Sequence, residues 1–471
     1  MKKFDLNNRM ACKLGVPLTQ ILMLQGLSAC GGASSDAPDD LEPELNTING
    51  SPNADYIRGT SDADIIYGMG GNDRILSFGG DDVINPGPGI NTVFAGDGDD
   101  TIYISTFAQD INGGDGNDTI IIADSLAIFE LFIDLEQGIV RTSNEADQLT
   151  TTLISLENVV SSSDQDTQVN GSPSSNKIST GDGNDQIYSG NGDNIITTYG
   201  GDDQVTLGHG INRIDLGTGD DIINNVGFGS TILGDTGFDE LNFKANEAET
   251  TLIIDLSTKT ISDTRGNVTN LSGFEKITVT GPNDVQYKGT SSDDFFVGDS
   301  GNDNFNGGGG NDYFFGGAGQ DTFLITEHGT ATIEDFETGD PGDVILYSGY
   351  KNFSSAEVEL KFIDIKSGAQ SRLTDSNDIL IITSEIGFES DTLLLLALNG
   401  LSGVTAHTET ALVNANMLTV WFNNSLNVCE VSIVSDTDHD NSLDTIINIA
   451  YLEGLNVNDL ETLSIENFEI I

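Results

Sequence analysis

Positive charge is scarce in this sequence: 18 Lys and Arg stand against 75 Asp and Glu in 471 residues, a net charge of −57. Such a chain repels nucleic-acid phosphates and anionic lipid, which argues against both as partners and makes cations the natural ones. Histidine is rarer still. With only His209, His328, His407 and His439 present and no H-E-x-x-H, a zinc protease is excluded. No G-x-S-x-G nucleophile elbow occurs either. Gly298, Asp299, Ser300 and Gly301 come nearest, but they fall in register inside a repeat and read as a turn. Acid pairs are so plentiful that they single out no glycosidase centre. His328, Trp421 and Cys429 stand isolated, where core or surface roles suit them better than chemistry. Beyond the N-terminal stretch no apolar run could span a bilayer; the longest, Leu393 to Leu398, reads as a core strand. A hydrophobic content of 37% spread along the chain argues against disorder throughout, so part of the acid has a specific use.

Cysteine is nearly absent as well. Lys2, Lys3, Arg9 and Lys13 precede an apolar stretch from Leu14 to Leu27 that is too short to cross a membrane and reads as an export signal. It closes on Leu27, Ser28, Ala29 and Cys30, which resemble the lipobox at which bacterial lipoproteins are cut and lipidated on the new N-terminal Cys; plain signal cleavage is the other reading. Either way Cys12 is discarded and Cys30 is consumed or lost, leaving Cys429 as the only thiol able to form a bridge. An exported chain without disulfides needs another staple, and metal is the usual substitute.

What the sequence has in abundance is a period of nine. Ile57, Ile66, Ile75, Ile84, Val93, Ile102, Ile111 and Ile120 recur at that spacing, and the comb returns from Ile178 to Leu241 and, with aromatics, as Tyr287, Phe296, Phe305, Phe314 and Phe323. β-Branched and aromatic residues at one fixed position between polar neighbours are the core of short half-buried strands. Two positions before each there is usually an Asp, preceded by a Gly-rich turn such as Gly113, Gly114, Asp115, Gly116, Asn117, Asp118. Gly allows the positive φ that turns carbonyls toward an ion, and Asp supplies the hard anionic oxygen that Ca²⁺ prefers.

This nonapeptide resembles that of the RTX, or hemolysin-type calcium-binding, family, over residues 50 to 123, 171 to 243 and 283 to 324. The resemblance implies an all-β fold: a right-handed parallel β-roll with two nonapeptides per coil and Ca²⁺ lodged between successive turns on each edge. Coils of eighteen residues would place alternate repeats on opposite edges. One edge of the first array then carries Asp64, Asp82, Asp100 and Asp118, and the matching edge of the second carries Asp185, Asp203, Asp221 and Asp239. The opposite edges read Asp55, Asp73, Asn91, Gln109 and Asn176, Asn194, Asn212, Ser230, with Ile90, Phe107, Ile211 and Phe228 in their turns. An amide ladder over apolar turns suggests an ion-free edge that packs against protein. With Asp294 and Asp312, and Asp303 and Asp321, in the third array, carboxylate pairs eighteen apart number nine; nine divalent ions would bring the net charge from −57 to −39.

A non-repeat insert of roughly forty residues follows each of the first two arrays, a natural cover for the amide edge. The inserts match: Phe132, Ile133, Asp134, Leu135 correspond to Ile253, Ile254, Asp255, Leu256 at an offset of 121, as do the arrays, so a module is duplicated. The first reads as a hairpin, Leu131 to Leu135 and Ile139 to Thr142 around Gly138, then a strand near Leu156 to Val160. Leu156, Glu157, Asn158 and Val159 are similar to a connector between such arrays and read as scaffold.

After Phe323 the period stops. Ile333 to Asp340 resembles a cap of RTX arrays, and the following stretch resembles the C-terminal targeting region of type I secretion substrates, a route that normally excludes the lipoprotein one. Asp436, Asp438, Asp440 and Asp444 form a D-x-D-x-D-x-x-x-D string suited to one hard cation, though Asn441 and Ile447 stand where an EF-hand needs Gly and Glu. The chain thus divides into an export signal with lipobox (1–30), a tether (31–48), array and insert (49–165), array and insert (166–282), a third array (283–324) and a β-rich C-terminal domain (325–471). The function expected is a calcium-binding, non-enzymatic structural or adhesive protein outside the cell. Glycan or another surface protein would be its partner, and it would touch membrane only through a lipid on Cys30. The alternative is a polysaccharide-active enzyme centred in 325–471.

Overall fold

In the computed structural model the described residues are 45–122, 130–142, 150–245, 251–326, 329–338, 342–348, 360–364, 379–383, 416–423, 428–435, 445–455, 459–463 and 468–470, with positions 126 and 426. The chain winds into a parallel β-solenoid of about 15 coils with almost no helix. Each coil contributes one short strand to each of two sheets. Sheet I begins with Asn46–Asn49, Asp64–Tyr67, Val83–Asn85, Thr101–Ile104 and Thr119–Ile122. Sheet II begins with Tyr56–Arg58, Arg74–Gly79, Thr92–Asp97 and Asp110–Asp115.

The nine-residue comb fixes this register. In each three-residue strand the central side chain points inward and its neighbours outward, because successive side chains of a strand alternate faces. Ile57, Ile75, Val93 and Ile111 therefore stack in sheet II against Ile66, Ile84, Ile102 and Ile120 in sheet I, all buried. The second array repeats this with Ile187, Val205, Ile223 and Leu241. In the third, rings replace branched chains: Tyr287, Phe305 and Phe323 stack at centroid distances of 4.6 and 5.1 Å. The turns are too tight for side chains at some positions. Gly114 has φ +118°, and a Cβ there would strike the carbonyl of Gly96 one coil away.

The inserts do not fold over the amide edge; they become strands of the solenoid. In sheet II, Thr151–Ile154, Ile139–Thr142 and Leu131–Asp134 lie between Asp110–Asp115 and Thr167–Asn170, antiparallel to one another and parallel to the array at both ends. Sheet I crosses the same gap with Asn158–Ser161 alone. The strand Thr151–Ile154 is absent from the sequence expectation. The second insert builds the same device in the other sheet: Val268–Ser272, Thr260–Asp263 and Leu252–Asp255 lie in sheet I, and Lys276–Thr280 alone in sheet II. Each insert adds two strands, about 10 Å, to one sheet only, and the two additions fall on opposite sheets.

The expected cover is therefore corrected. Ile90 and Ile211 are 61% and 60% exposed, while Phe107 and Phe228 reach the core as the last amide-edge turn of each array meets its insert. The reason is backbone: insert strands gain more by pairing with open sheet edges than by covering single apolar turn residues, which are ordinary on protein surfaces.

The C-terminal strands extend the same sheets. Gly329–Ile333 continues sheet II and pairs with Thr445–Leu452, which leads antiparallel to Val428–Ser435 and Asn416–Asn423; Val344–Ser348 continues sheet I and pairs with Phe468–Ile470. Trp421 and Cys429 are core residues here, and burial pushes the Cys429 thiol up to about 12, which makes it an inert one. Because Phe305 contacts three rings in the core, Phe305→Ala should cost about 3–5 kcal/mol of the folded roll's stability. Ile211→Ala, in an exposed turn, should stay within about 0.5 kcal/mol. Denaturant unfolding in saturating Ca²⁺ checks both.

Candidate metal centre

Between one strand and the next the chain must turn, and at most turn ends an Asp, Asn or Gln points inward, with Ser230 and Thr167 in that place once each. The backbone N–H there donates to the side chain eighteen residues ahead: Asp64 to Asp82 Oδ1 at 2.7 Å, Asp82 to Asp100 and Asp100 to Asp118 at 2.8 Å. Asp185, Asp203, Asp221 and Asp239 are linked identically at 2.7 to 3.0 Å. Asp55 donates to Asp73, Asp294 to Asp312, and Asp303 to Asp321. The structure thus joins every array Asp named from the sequence into ladders. Asp436, Asp438, Asp440 and Asp444, and Cys30, lie outside the described residues.

The ladders change sides. Asp64 to Asp118 lead into strands of sheet I, whereas Asp185 to Asp239 lead into strands of sheet II. The repeated module holds an odd number of half-coils, so its second copy is rotated by half a turn about the axis. In the third array both edges are acidic, Asp294 and Asp312 before sheet II and Asp303 and Asp321 before sheet I.

Each ladder Asp uses one oxygen for the neighbouring coil. The other, Oδ2, is buried without a hydrogen bond in Asp73, Asp82, Asp100, Asp118, Asp185, Asp203, Asp221, Asp239, Asp303 and Asp321. Amide positions show what belongs there. Asn91 Nδ2 donates to the turn carbonyl of Gly87 at 2.9 Å, Asn194 Nδ2 to Gly192 at 3.0 Å, and Gln109 Nε2 to Thr106 at 2.9 Å. At acidic positions an acceptor faces the turn in place of that donor. A cation is the group that answers a carboxylate and carbonyls at once, and a hard one suits oxygen alone. At Gly68, Gly113, Gly234, Gly298 and Gly316 a Cβ would collide with Oδ2 of the Asp five residues on, so glycine keeps that space open.

Among the described residues no three acidic, His or Cys side chains converge on one point. An ion between coils would therefore draw on two carboxylates, turn carbonyls and water. Three first rungs differ from the rest, though Asp185 and Asp303, which open the other two ladders, do not. Oδ2 of Asp64, Asp55 and Asp294 already accepts the backbone N–H of Thr60, Ser51 and Thr290 at 2.6, 2.6 and 2.7 Å.

Several rungs were missed by the sequence reading. Glu157 and Glu275 close the two long ladders, accepting the N–H of Asp118 and of Asp239 at 2.9 Å, and Asp343 accepts that of Asp321. Glu157, read as part of a connector, is a ladder rung. Their signal was present, an acid just before an in-register strand, but they are 118 residues apart, off the 121 offset of the arrays. A second, outer ladder runs the other way: Asp99 N–H to Asp81, Asp202 to Asn184 and Asp220 to Asp202, each at 2.9 Å.

Burial dominates the electrostatics. Desolvation, with neighbouring rungs adding repulsion, pushes Asp100 and Asp203 up to about 8, Asp185, Asp239, Asp303, Asp312 and Asp321 to about 7, and Asp82, Asp118 and Asp221 to about 6. The highest values belong to middle rungs, which feel charge from both sides.

A family model of the RTX calcium-binding nonapeptide repeat (four copies) matches residues 49–84, 76–103, 106–121, 170–205 and 288–323. No curated protein matches the chain. The chain carries RTX calcium-binding nonapeptide repeats, and Ca²⁺ is the ion such repeats take.

Without metal, protons are the remaining neutralisers. In the unfolded chain these carboxyls ionise near the ordinary value of about 4, and in the ion-free roll only near 6 to 8. Their contribution to ion-free stability is complete below the unfolded value and is lost as pH rises through the folded one. In calcium-free buffer the folded fraction, read by circular dichroism, should therefore fall as pH rises from about 4 to about 8. In saturating Ca²⁺ the slope should reverse, because protons then compete with the ion for the same oxygens.

Proposed function

We propose that this chain is an exported structural or adhesive protein, a rod held together by Ca²⁺ that folds once it meets the ion outside the cell. The observation that carries this reading is the row of buried Oδ2 atoms facing turn carbonyls where amide positions place an N–H donor. RTX repeats are typical of exported proteins, and an export signal at 1–30, with Cys30 lipidated or a type I signal at the other end, would supply the route.

The sites we assign lie between rungs: Asp64 with Asp82, Asp82 with Asp100, Asp100 with Asp118, Asp185 with Asp203, Asp203 with Asp221, Asp221 with Asp239, Asp55 with Asp73, Asp294 with Asp312 and Asp303 with Asp321. In the C-terminal region, Asp436, Asp438, Asp440 and Asp444 are assigned to one further ion. The protein acts through shape and surface and not by catalysis. Extracellular modules bind Ca²⁺ at roughly 10⁻⁴ to 10⁻³ M, so the chain would stay unfolded at cytosolic levels.

Circular dichroism during a Ca²⁺ titration should show β-structure appearing in that range. β-Signal already complete in excess chelator at neutral pH would end the proposal. Ion counting sharpens it: at saturating Ca²⁺, Asp203→Ala should release two ions, whereas Asn194→Ala should release none, since its amide side chain does the ion's work on the other edge.

A further inference from the structure

Parallel sheets are usually covered on both faces, yet the outer face of sheet II is open and unlike the rest of the molecule. In a chain of net charge −57 with seven arginines, three of them lie on this face, each over a Phe ring: Arg58 over Phe78 at 4.9 Å, Arg74 over Phe94 at 5.0 Å and Arg141 over Phe132 at 4.3 Å. Tyr56 is exposed beside the first pair. Among the described residues neither Arg58 nor Arg74 forms an ion pair; the pairs present are Lys276 with Glu240 and Lys288 with Asp255. A ring holds the guanidinium by its face and leaves its edge N–H groups free for a planar acid.

Phe78 points the same way. It has φ +82°, a left-handed conformation, while the residues in register with it on the next two coils are Gly96 and Gly114. The same repeat position is left-handed with a side chain at Met69, Tyr199 and Asp235 as well, so Phe78 is one of a few residues that accept backbone strain where the repeat mostly uses glycine. Phe78 is 41% exposed and its ring lies beneath Arg58, so the core is not what needs it.

At the far end of the stretch the face deepens into an open cleft of about 320 Å³ lined by Phe132, Arg141, Gln168, Asn184 and Gln186 together with two acids, Glu130 and Asp166. From Arg58 to Phe132 is six strand steps through the sheet, roughly 29 Å at about 4.8 Å each. Two groups of rings and guanidinium groups, separated by the strands of Asp110–Asn112 and Thr152–Ile154, with amides in the cleft beside the second group, match a chain of rings bearing planar acids: apolar ring faces on Phe, carboxylates on Arg forks, hydroxyls on amides.

We propose that the outer face of sheet II, from Arg58 to Gln186, binds an extended, carboxylate-bearing polysaccharide. This names a partner for the adhesive reading above and rests on it. Ca²⁺ in the edge ladders would lower the negative field that otherwise repels such a polymer, so binding and folding share one ion requirement.

The test uses the full chain in saturating Ca²⁺, titrated calorimetrically with oligogalacturonate too short to gel and with its fully methyl-esterified counterpart. Saturable binding of the acid form is expected. Arg58→Ala with Arg74→Ala should weaken it about tenfold or more, and Asp110→Asn, which removes an exposed acid in register with Arg74, should tighten it. Circular dichroism should be unchanged in both variants. Equal binding of the ester, no effect of the arginine pair, or no binding by a chain that has folded would overturn the proposal. Self-association without saccharide that the arginine substitutions abolish would overturn it too, by giving this face to a second copy of the chain. A chain that stays unfolded in Ca²⁺ defeats the functional reading first and this inference with it.

Discussion

A carboxylate stacked on a carboxylate one coil away is the arrangement on which this structure depends. The backbone asks for it: each turn presents an N–H to the coil ahead, and an Asp side chain eighteen residues on accepts it, as Asp82 does from Asp64 and Asp203 from Asp185. That hydrogen bond sets the rise and register of the coils. It also brings like charges into a poorly solvated row whose second oxygens have no partner. Without a counter-charge the row opposes the fold that creates it. That row is the basis of the proposed dependence of the solenoid on a cation, or on a proton, for each rung.

The inward residues of the core form two facing rows, Ile66 to Ile120 against Ile57 to Ile111, and each coil contacts only its neighbours. Stability in such a chain is close to a sum of coil and interface terms, and the charged interfaces are the weak ones until filled. Amide positions escape this. Asn194 makes the same backbone contact as an Asp, and its Nδ2 satisfies the turn carbonyl, so the amide edge of the second array needs no metal, whereas that of the first keeps one acidic pair, Asp55 and Asp73. The half-turn between the two modules then places metal-dependent and metal-independent edges alternately on the two sides of the solenoid.

Much of this was legible in the sequence because a solenoid is one pattern repeated. The positions of Ile57, Ile66 and their successors gave the core, and the Asp and Asn series gave two unlike edges. The inserts' hairpin around Gly138 was readable from alternation. What was not legible depends on how non-repeat segments join the stack. The exchange of edges between Asp118 and Asp185 follows from counting half-coils through the insert, which requires knowing that three strands there lie in one sheet. Glu157 looked like connector because only the stacking shows it receiving the Asp118 amide. Ile90 and Ile211 suggested a covered edge, but single apolar side chains in a turn do not compel burial, whereas unpaired strand edges compel pairing. The arginines of sheet II were invisible as a group: Arg58, Arg74 and Arg141 meet on one face only after the insert folds back through the sheet.

The most direct test of the account is to locate the ions. Anomalous scattering from crystals grown in Ca²⁺ should place them beside Oδ2 of Asp82, Asp100 and Asp118 on one edge and beside Asp203, Asp221 and Asp239 on the opposite edge. No ion should appear along Asn176, Asn194 and Asn212. Ions spread equally along both edges of the second array, or coils stacked in this register with the Asp rows empty at neutral pH, would contradict the claim that buried carboxylate rows make the fold depend on a cation.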